Sequence, residues 1–197
     1  MGLTFSGRTR FRRLGRDQEG STAIEFAFGA SILFTALAGA LDLSMLMFVQ
    51  TLLEGGLREA SRYGITGATD DGESRETKIR NIVGDNLFNL IDIDDVTTTY
   101  KVYPSFGGIG QPEPYVDANH NGKYDAGETY TDINGNGQWD ADQGKAGVGA
   151  SGDVVLYTLS APWTLLTPMI ATIFGNGGLV TLTASVAVRN EPYPTSP

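Results

Sequence analysis

From Phe26 to Leu53 the chain reads FAFGASILFTALAGALDLSMLMFVQTLL, 28 residues in which Asp42 carries the only charge. As a helix the run is about 42 Å long at 1.5 Å per residue, more than the roughly 30 Å of a bilayer's hydrocarbon core. A membrane-spanning helix is the expectation. Leu57, Ala60, Ser61 and Gly64 keep helical spacing beyond it, and Glu54 and Arg58 stand at i,i+4 in the favourable order. The helix is predicted to reach about Tyr63 and to stop near Gly64–Gly67, with Gly55–Gly56 as a point of weakness. A loop follows at Asp70–Ser74. Apolar positions Ile79, Ile82, Val83, Leu87 and Leu90 then predict a second helix over Glu76–Leu90, packed on a sheet. Strands are expected at Val96–Tyr103, Asp153–Leu159 and Leu179–Arg189, the last a clear alternation. Thr164–Phe174 reads as a short helix broken by Pro168, and a tail punctuated by Pro192, Pro194 and Pro197 closes the chain.

Charge divides the chain sharply. Residues 1–20 hold Arg8, Arg10, Arg12, Arg13 and Arg16 against Asp17 and Glu19, while the rest carries nine basic and 21 acidic residues. The basic leader places the N-terminus in the cytoplasm and the remainder outside. So acidic a body argues against nucleic acid as a partner and suits cations. There are no cysteines, so an exported domain needs a sufficient core, a metal or a partner in place of disulfides. Asp42 either marks the outer boundary of the span or contacts another subunit within it. The small residues Gly29, Ala30, Ala36, Ala38, Gly39 and Ala40 permit close helix packing.

The start of the apolar run reads Gly20-Ser21-Thr22-Ala23-Ile24-Glu25-Phe26. A carboxylate at the edge of a span costs roughly 2–3 kcal/mol, so a partner is expected for Glu25. A secretory signal has a shorter apolar stretch with its cleavage site behind it; here the candidate site lies in front. Gly20, Glu25 and Phe26 match the G-xxxx-E-[YF] processing pattern, and the segment resembles the minor pilins of the tight-adherence (Tad, type IVc) system, the TadE family. Leu57–Gly64 and the Arg189–Pro192 ending are similar to that family too. The resemblance implies cleavage after Gly20 by a prepilin peptidase, giving a mature chain that begins at Ser21. It implies a pilin-like fold, α+β, in which a long transmembrane helix carries a head built on an antiparallel sheet. It also implies that Glu25 pairs with the new amino group of a neighbouring subunit, and that the inner-membrane assembly machinery and other pilins are partners through the helix. The expected organisation is a leader at 1–20, a transmembrane and assembly helix at 21–66, and a periplasmic or extracellular head at 67–197, with an insertion at 111–145. A plain, uncleaved signal anchor is the competing reading.

The insertion carries the second signal. Asp117, Asn119, Asn121, Gly122 and Glu128 fit the calcium-loop template D-x-[DN]-x-[DN]-G-x5-E without mismatch, and the pattern recurs 15 residues later at Asp132, Asn134, Asn136 and Gly137. Calcium takes six to eight oxygens from alternate positions as the backbone wraps round it. Asp125 and Asp140 stand at position 9, and the carbonyls of Lys123 and Gln138 at position 7. Glu128 closes the first loop. Gln143 is a poor closer for the second, with Asp142 or a water as substitutes, so that site is expected to be weaker or to borrow a ligand. Two Ca2+ ions are thus expected, in loops too close together for true EF-hands and similar to those of dockerin-type extracellular proteins. An acidic surface loop without metal is the alternative. Tyr124 and Trp139, both at position 8, are expected to pack together, and His120 to face solvent.

With one histidine and no cysteine, most acid–base and thiol arrangements are excluded, no phosphate-binding loop is present, and no enzymatic role is expected. Two functions remain: a Tad minor pilin with a calcium-stabilised head, or a calcium-dependent adhesin on an uncleaved anchor, with a surface ligand.

Overall fold

The computed structural model describes residues 19–67, 72–174 and 176–192. Most of the basic leader, Asp70 and Asp71 of the expected loop, and Pro194 and Pro197 of the tail lie outside the described residues. The element order is helix α1 (Glu19–Gly64), helix α2 (Arg75–Asn86), strands β1 (Thr97–Tyr103), β2 (Lys145–Ala146) and β3 (Val154–Thr164), helix α3 (Pro168–Phe174) and strand β4 (Leu179–Arg189). The four strands form one antiparallel sheet in the order β2-β1-β3-β4. The fold is α+β, as expected. It divides into two units, Met1–Ser44 and Met45–Pro197, so the last part of α1 belongs to the same unit as the sheet.

In the first unit α1 is apolar on every side: Phe26, Phe28, Ile32, Phe34 and Leu41 are all exposed. A helix with no polar face is a membrane span or a deeply buried element, and this one is long and apolar enough to cross a membrane. Two carboxylates interrupt it: Glu25, exposed, and Asp42, buried and engaged in a polar contact.

The second unit is built on the remainder of α1. Val49, Leu53, Leu57 and Ala60, spaced four, four and three apart, form one buried stripe. It joins Val155, Tyr157, Leu159, Ala161 and Trp163, alternate residues of β3, together with Leu182 and Ala184 of β4. From α2 come Ile79 and Val83. Gly55 and Gly56 do not interrupt α1. Gly56 instead lets α2 approach, because a Cβ there would meet that of Asn86 at 3.0 Å. Gly64 leaves room for the Tyr157 hydroxyl, which any larger side chain would strike. The Arg75 guanidinium then ties the end of α1 down, donating to the carbonyls of Gly64, Val148 and Gly149.

Several boundaries differ from expectation. The helix expected over Glu76–Leu90 ends at Asn86, because Phe88 and Asn89 adopt left-handed backbone at φ 49° and 58°; its start is set by Ser74, whose hydroxyl accepts the Thr77 N–H at 3.2 Å. β3 runs on to Thr164 in place of stopping at Leu159, and Pro162 does not end it. The last β1 partner is Ser160, so Pro162 lies where β3 is an edge on that side and a missing N–H is tolerated. Pro168 begins α3 and does not break it, the position where its fixed φ suits a helix.

The buried stripe predicts its own test. Leu53→Ala or Leu57→Ala should destabilise the folded unit by about 2–5 kcal/mol, read as a lower melting temperature in detergent micelles. Phe34→Ala, at an exposed site, should change it by less than about 0.5 kcal/mol.

Candidate functional site

Two regions carry the chemistry. The first is the start of α1. Gly20, Ser21, Glu25 and Phe26 all lie within the helix, so Ser21 and Glu25 share a face one turn apart, and the Ser21 hydroxyl donates to Glu25 Oε1 at 3.2 Å. Glu25 and Phe26 are exposed. A carboxylate is therefore presented laterally beside the residue that follows Gly20.

The second region is the pair of loops between β1 and β2. Each winds round an aspartate at position 1. Asp117 accepts the N–H groups of Asn121 and Gly122 at 3.1 and 2.8 Å. Asp132 accepts those of Gly135, Asn136 and Gly137 at 2.7, 3.2 and 2.8 Å. At position 3, Asn119 and Asn134 accept the N–H of Asn121 and Asn136. At position 5, the amide oxygens of Asn121 and Asn136 accept the N–H of Lys123 and Gln138. Gly122 and Gly137 have φ of 76° and 79°, the left-handed turn that needs glycine.

At the centre of the first loop the Asn119 and Asn121 amide nitrogens both reach Asp125 Oδ2, at 2.7 Å each. At the centre of the second, those of Asn134 and Asn136 reach Asp140 Oδ2 at 2.7 and 2.6 Å. Positive charge thus converges on one carboxylate oxygen in each loop. Each of these four amide oxygens accepts one backbone N–H and has a second lone pair with which to serve a further partner. Among the described residues no group of three or more carboxylate or imidazole side chains forms a ready-made metal cluster; the loops alternate carboxylates with amides and carbonyls.

Tyr124 stacks on Trp139, with centroids 4.5 Å apart and planes at 14°. Tyr115 meets both rings edge-on, and Tyr130 meets Tyr124 the same way. Tyr115 and Tyr130 also pair their backbones as a β-bridge. His120 is exposed, at φ 61°.

Where the second loop should close, the structure departs from the sequence reading. Asp142 turns to the sheet, accepting from Lys101 Nζ at 2.6 Å and the Tyr103 hydroxyl at 2.9 Å. Gln143 is buried and donates to the Gly108 carbonyl at 2.8 Å. Neither faces the loop centre. Sequence reasoning missed Glu113, which is wholly buried, its carboxylate accepting the N–H groups of Ile133, Asn134 and Asp140 at 2.7, 3.2 and 3.1 Å. The signal available was the Gln at position 12, which asked for a carboxylate from elsewhere.

Electrostatics follow the bonds. The N–H of Gly137 holds the Asp132 carboxyl below its ordinary 3.8 despite some desolvation, with Gly135 and Asn136 assisting. Desolvation pushes Asp142 up, but Lys101, the Tyr103 hydroxyl and the Gly144 N–H outweigh it and keep that carboxyl below 3.8. Burial, reinforced by Asp142, pushes the Tyr103 phenol up to about 12.

Residues 20–62 match the family model for TadE-like proteins. The match begins at Gly20 and covers less than a quarter of the chain, leaving the sheet and the loops outside it. No curated protein and no solved structure matches the chain. The match and the apolar helix support a membrane-anchored, pilin-like protein associated with a Tad pilus.

Both depressed carboxyls add stability that is complete above the unfolded-chain value of 3.8 and is lost as pH falls through their lower folded values. Denaturant titrations in chelator between about pH 5 and 2 should therefore show declining stability. Asp142→Asn should flatten that decline.

Proposed function

We propose that the protein is a minor pilin of a Tad-type pilus, cut after Gly20 by a prepilin peptidase and assembled through α1. Before assembly it spans the inner membrane once, N-terminus in the cytoplasm, with the sheet-bearing unit outside. The observation that carries this reading is Glu25: an exposed carboxylate at the head of the apolar stretch of α1, one turn from Ser21, in a segment whose family match starts at the glycine to be cleaved. Cleavage creates an α-amino group at Ser21, positive at neutral pH. In the low dielectric among packed helices, an unpaired carboxylate is strongly disfavoured and a subunit amine satisfies it. The apolar surface of α1 from Phe26 to Leu41 suits either lipid or neighbouring helices, so the same helix serves before and after assembly.

The loops bind Ca2+ in this reading, with a structural purpose. Asp117, Asn119, Asn121, the Lys123 carbonyl, Asp125 and Glu128 form the first ligand set. Asp132, Asn134, Asn136, the Gln138 carbonyl and Asp140 begin the second. Millimolar calcium outside the cell suffices even for weak sites, and an ion bound only by the folded state stabilises it by mass action.

Intact mass of the full chain, expressed with and without a Tad-type prepilin peptidase, tests the first claim. The expected result is a loss matching Met1–Gly20, absent in Gly20→Ala; Glu25→Ala should still be cut but fail to assemble. No loss while a known pilin is processed in parallel would leave an anchored calcium-dependent adhesin as the better reading.

The calcium claim stands separately. Melting of the full chain in micelles should rise on addition of millimolar calcium, and Asp117→Ala should remove a large part of the rise. A melting curve indifferent to calcium would sink it.

A further inference from the structure

We infer that Glu113, four residues before the first loop, is the closing carboxylate of the second calcium loop. The inference rests on the calcium reading above and goes beyond it in giving that loop a ligand from outside its own sequence.

The first loop shows what a closing glutamate does here. Glu128 Oε1 accepts the N–H of Ala118, position 2, at 2.9 Å, and Oε2 accepts that of Asp125, position 9, at 3.0 Å. The carboxylate thereby lies across the mouth of the loop with both oxygens fixed. Glu113 makes the same pair of contacts in the second loop: Oε1 accepts from Ile133, position 2, at 2.7 Å, and Oε2 from Asp140, position 9, at 3.1 Å. Its backbone is pinned to the same loop, because its N–H donates to the Asp140 carbonyl at 2.9 Å and its carbonyl accepts from Trp139 Nε1 at 2.8 Å. The residue that sequence order would place here, Gln143, is held 35 residues away in sequence by Gly108.

Burial supplies an independent argument. Glu113 is 0% exposed, and no basic side chain forms an ion pair with it among the described residues. A carboxylate removed from water is costly unless it is paired or coordinates a metal. Three N–H donors satisfy only part of its capacity of about four lone pairs. A divalent cation in the loop centre supplies the missing charge. With Glu113 counted, each loop offers two aspartates, one glutamate, two asparagines and one carbonyl. The two sites then carry equal formal charge, and the second is not intrinsically the poorer one.

Calcium stoichiometry of the full chain in detergent micelles, by isothermal titration and by equilibrium dialysis with radioactive calcium, tests this. The wild type should take up two ions. Glu113→Gln and Asp132→Asn should each lose one, and the double variant should lose no more than either. Glu128→Gln should lose the other ion, while Gln143→Ala should keep both. Retention of the first loop's ion reports that Glu113→Gln is folded. Glu113→Asp keeps the charge but withdraws it by one methylene, and should weaken one ion by at least about tenfold. Two ions bound unchanged by Glu113→Gln would overturn the assignment and leave the calcium reading standing. So would equal loss of both ions in both Glu113 variants, which would make the residue a shared structural pin. A wild type that takes up no calcium would overturn both.

Discussion

One uninterrupted helix has to satisfy two different solvents, and the rest of the structure is arranged around that requirement. A chain crossing hydrocarbon must hydrogen-bond every backbone group internally, which dictates helix for the apolar run. The same helix continues without a break into the sheet-bearing unit, where Val49, Leu53, Leu57 and Ala60 become its core. Its surface therefore changes character along its length, from apolar on all sides to apolar on one stripe. The sheet has to present a complementary buried face, and it does so chiefly through alternate residues of β3, which pairs with β1 on one side and β4 on the other. Any loosening of the helix in this second stretch would remove core from the sheet, and Gly56 is held there by close packing against Val83 and Asn86 of α2.

The loops obey a different physics. Between β1 and β2 the chain has few buried aliphatic side chains and folds mainly by directing backbone N–H groups at carboxylates and amides. Apart from the aromatic group of Tyr115, Tyr124, Tyr130 and Trp139, its order rests on charge-assisted hydrogen bonds. Such a network concentrates negative charge as it forms, so its stability depends on what neutralises that charge. Asp142 has a local answer in Lys101. The aspartates and glutamates of the two loops have none of that kind among the described salt bridges. That difference separates a carboxylate that anchors the loop to the sheet by an ion pair from carboxylates held only by N–H and amide donors.

How far the sequence revealed this depended on whether the determining contact was local. The β4 alternation from Leu179 to Arg189 was legible because every second residue faces the same core. The end of α1 was legible from its glycines, and the stacking of Tyr124 on Trp139 from their equal positions in two repeats. Pro168 misled because a proline breaks a helix only where its N–H is needed, in the interior; at the first position, where it stands, that N–H has no intrahelical partner to lose. Phe88 and Asn89 ended α2 by a left-handed turn that no glycine announced. Glu113 was invisible for the same cause in stronger form. It sits between Pro112 and Pro114, 19 residues before the loop it enters, where no template searches. Repeats report their own spacing and not a residue donated across them.

The family match stops at residue 62, near the end of α1, while both loops begin beyond residue 116. Among the described residues helix and loops are linked through the sheet: β1 leads into the loops and pairs with β3, and β3 packs on α1. Lys101, on β1, holds Asp142 at the loops' exit, and Leu156, its partner on β3, precedes the buried Tyr157 that fits against Gly64. Loop closure costs grow only slowly with loop length, so a long segment whose two ends are fixed by adjacent strands burdens the sheet little. The loops can then change without altering the apolar surface of the helix. The separation is physical: apolar burial holds the helix to the sheet, and hydrogen bonds to carboxylates and amides hold the loops.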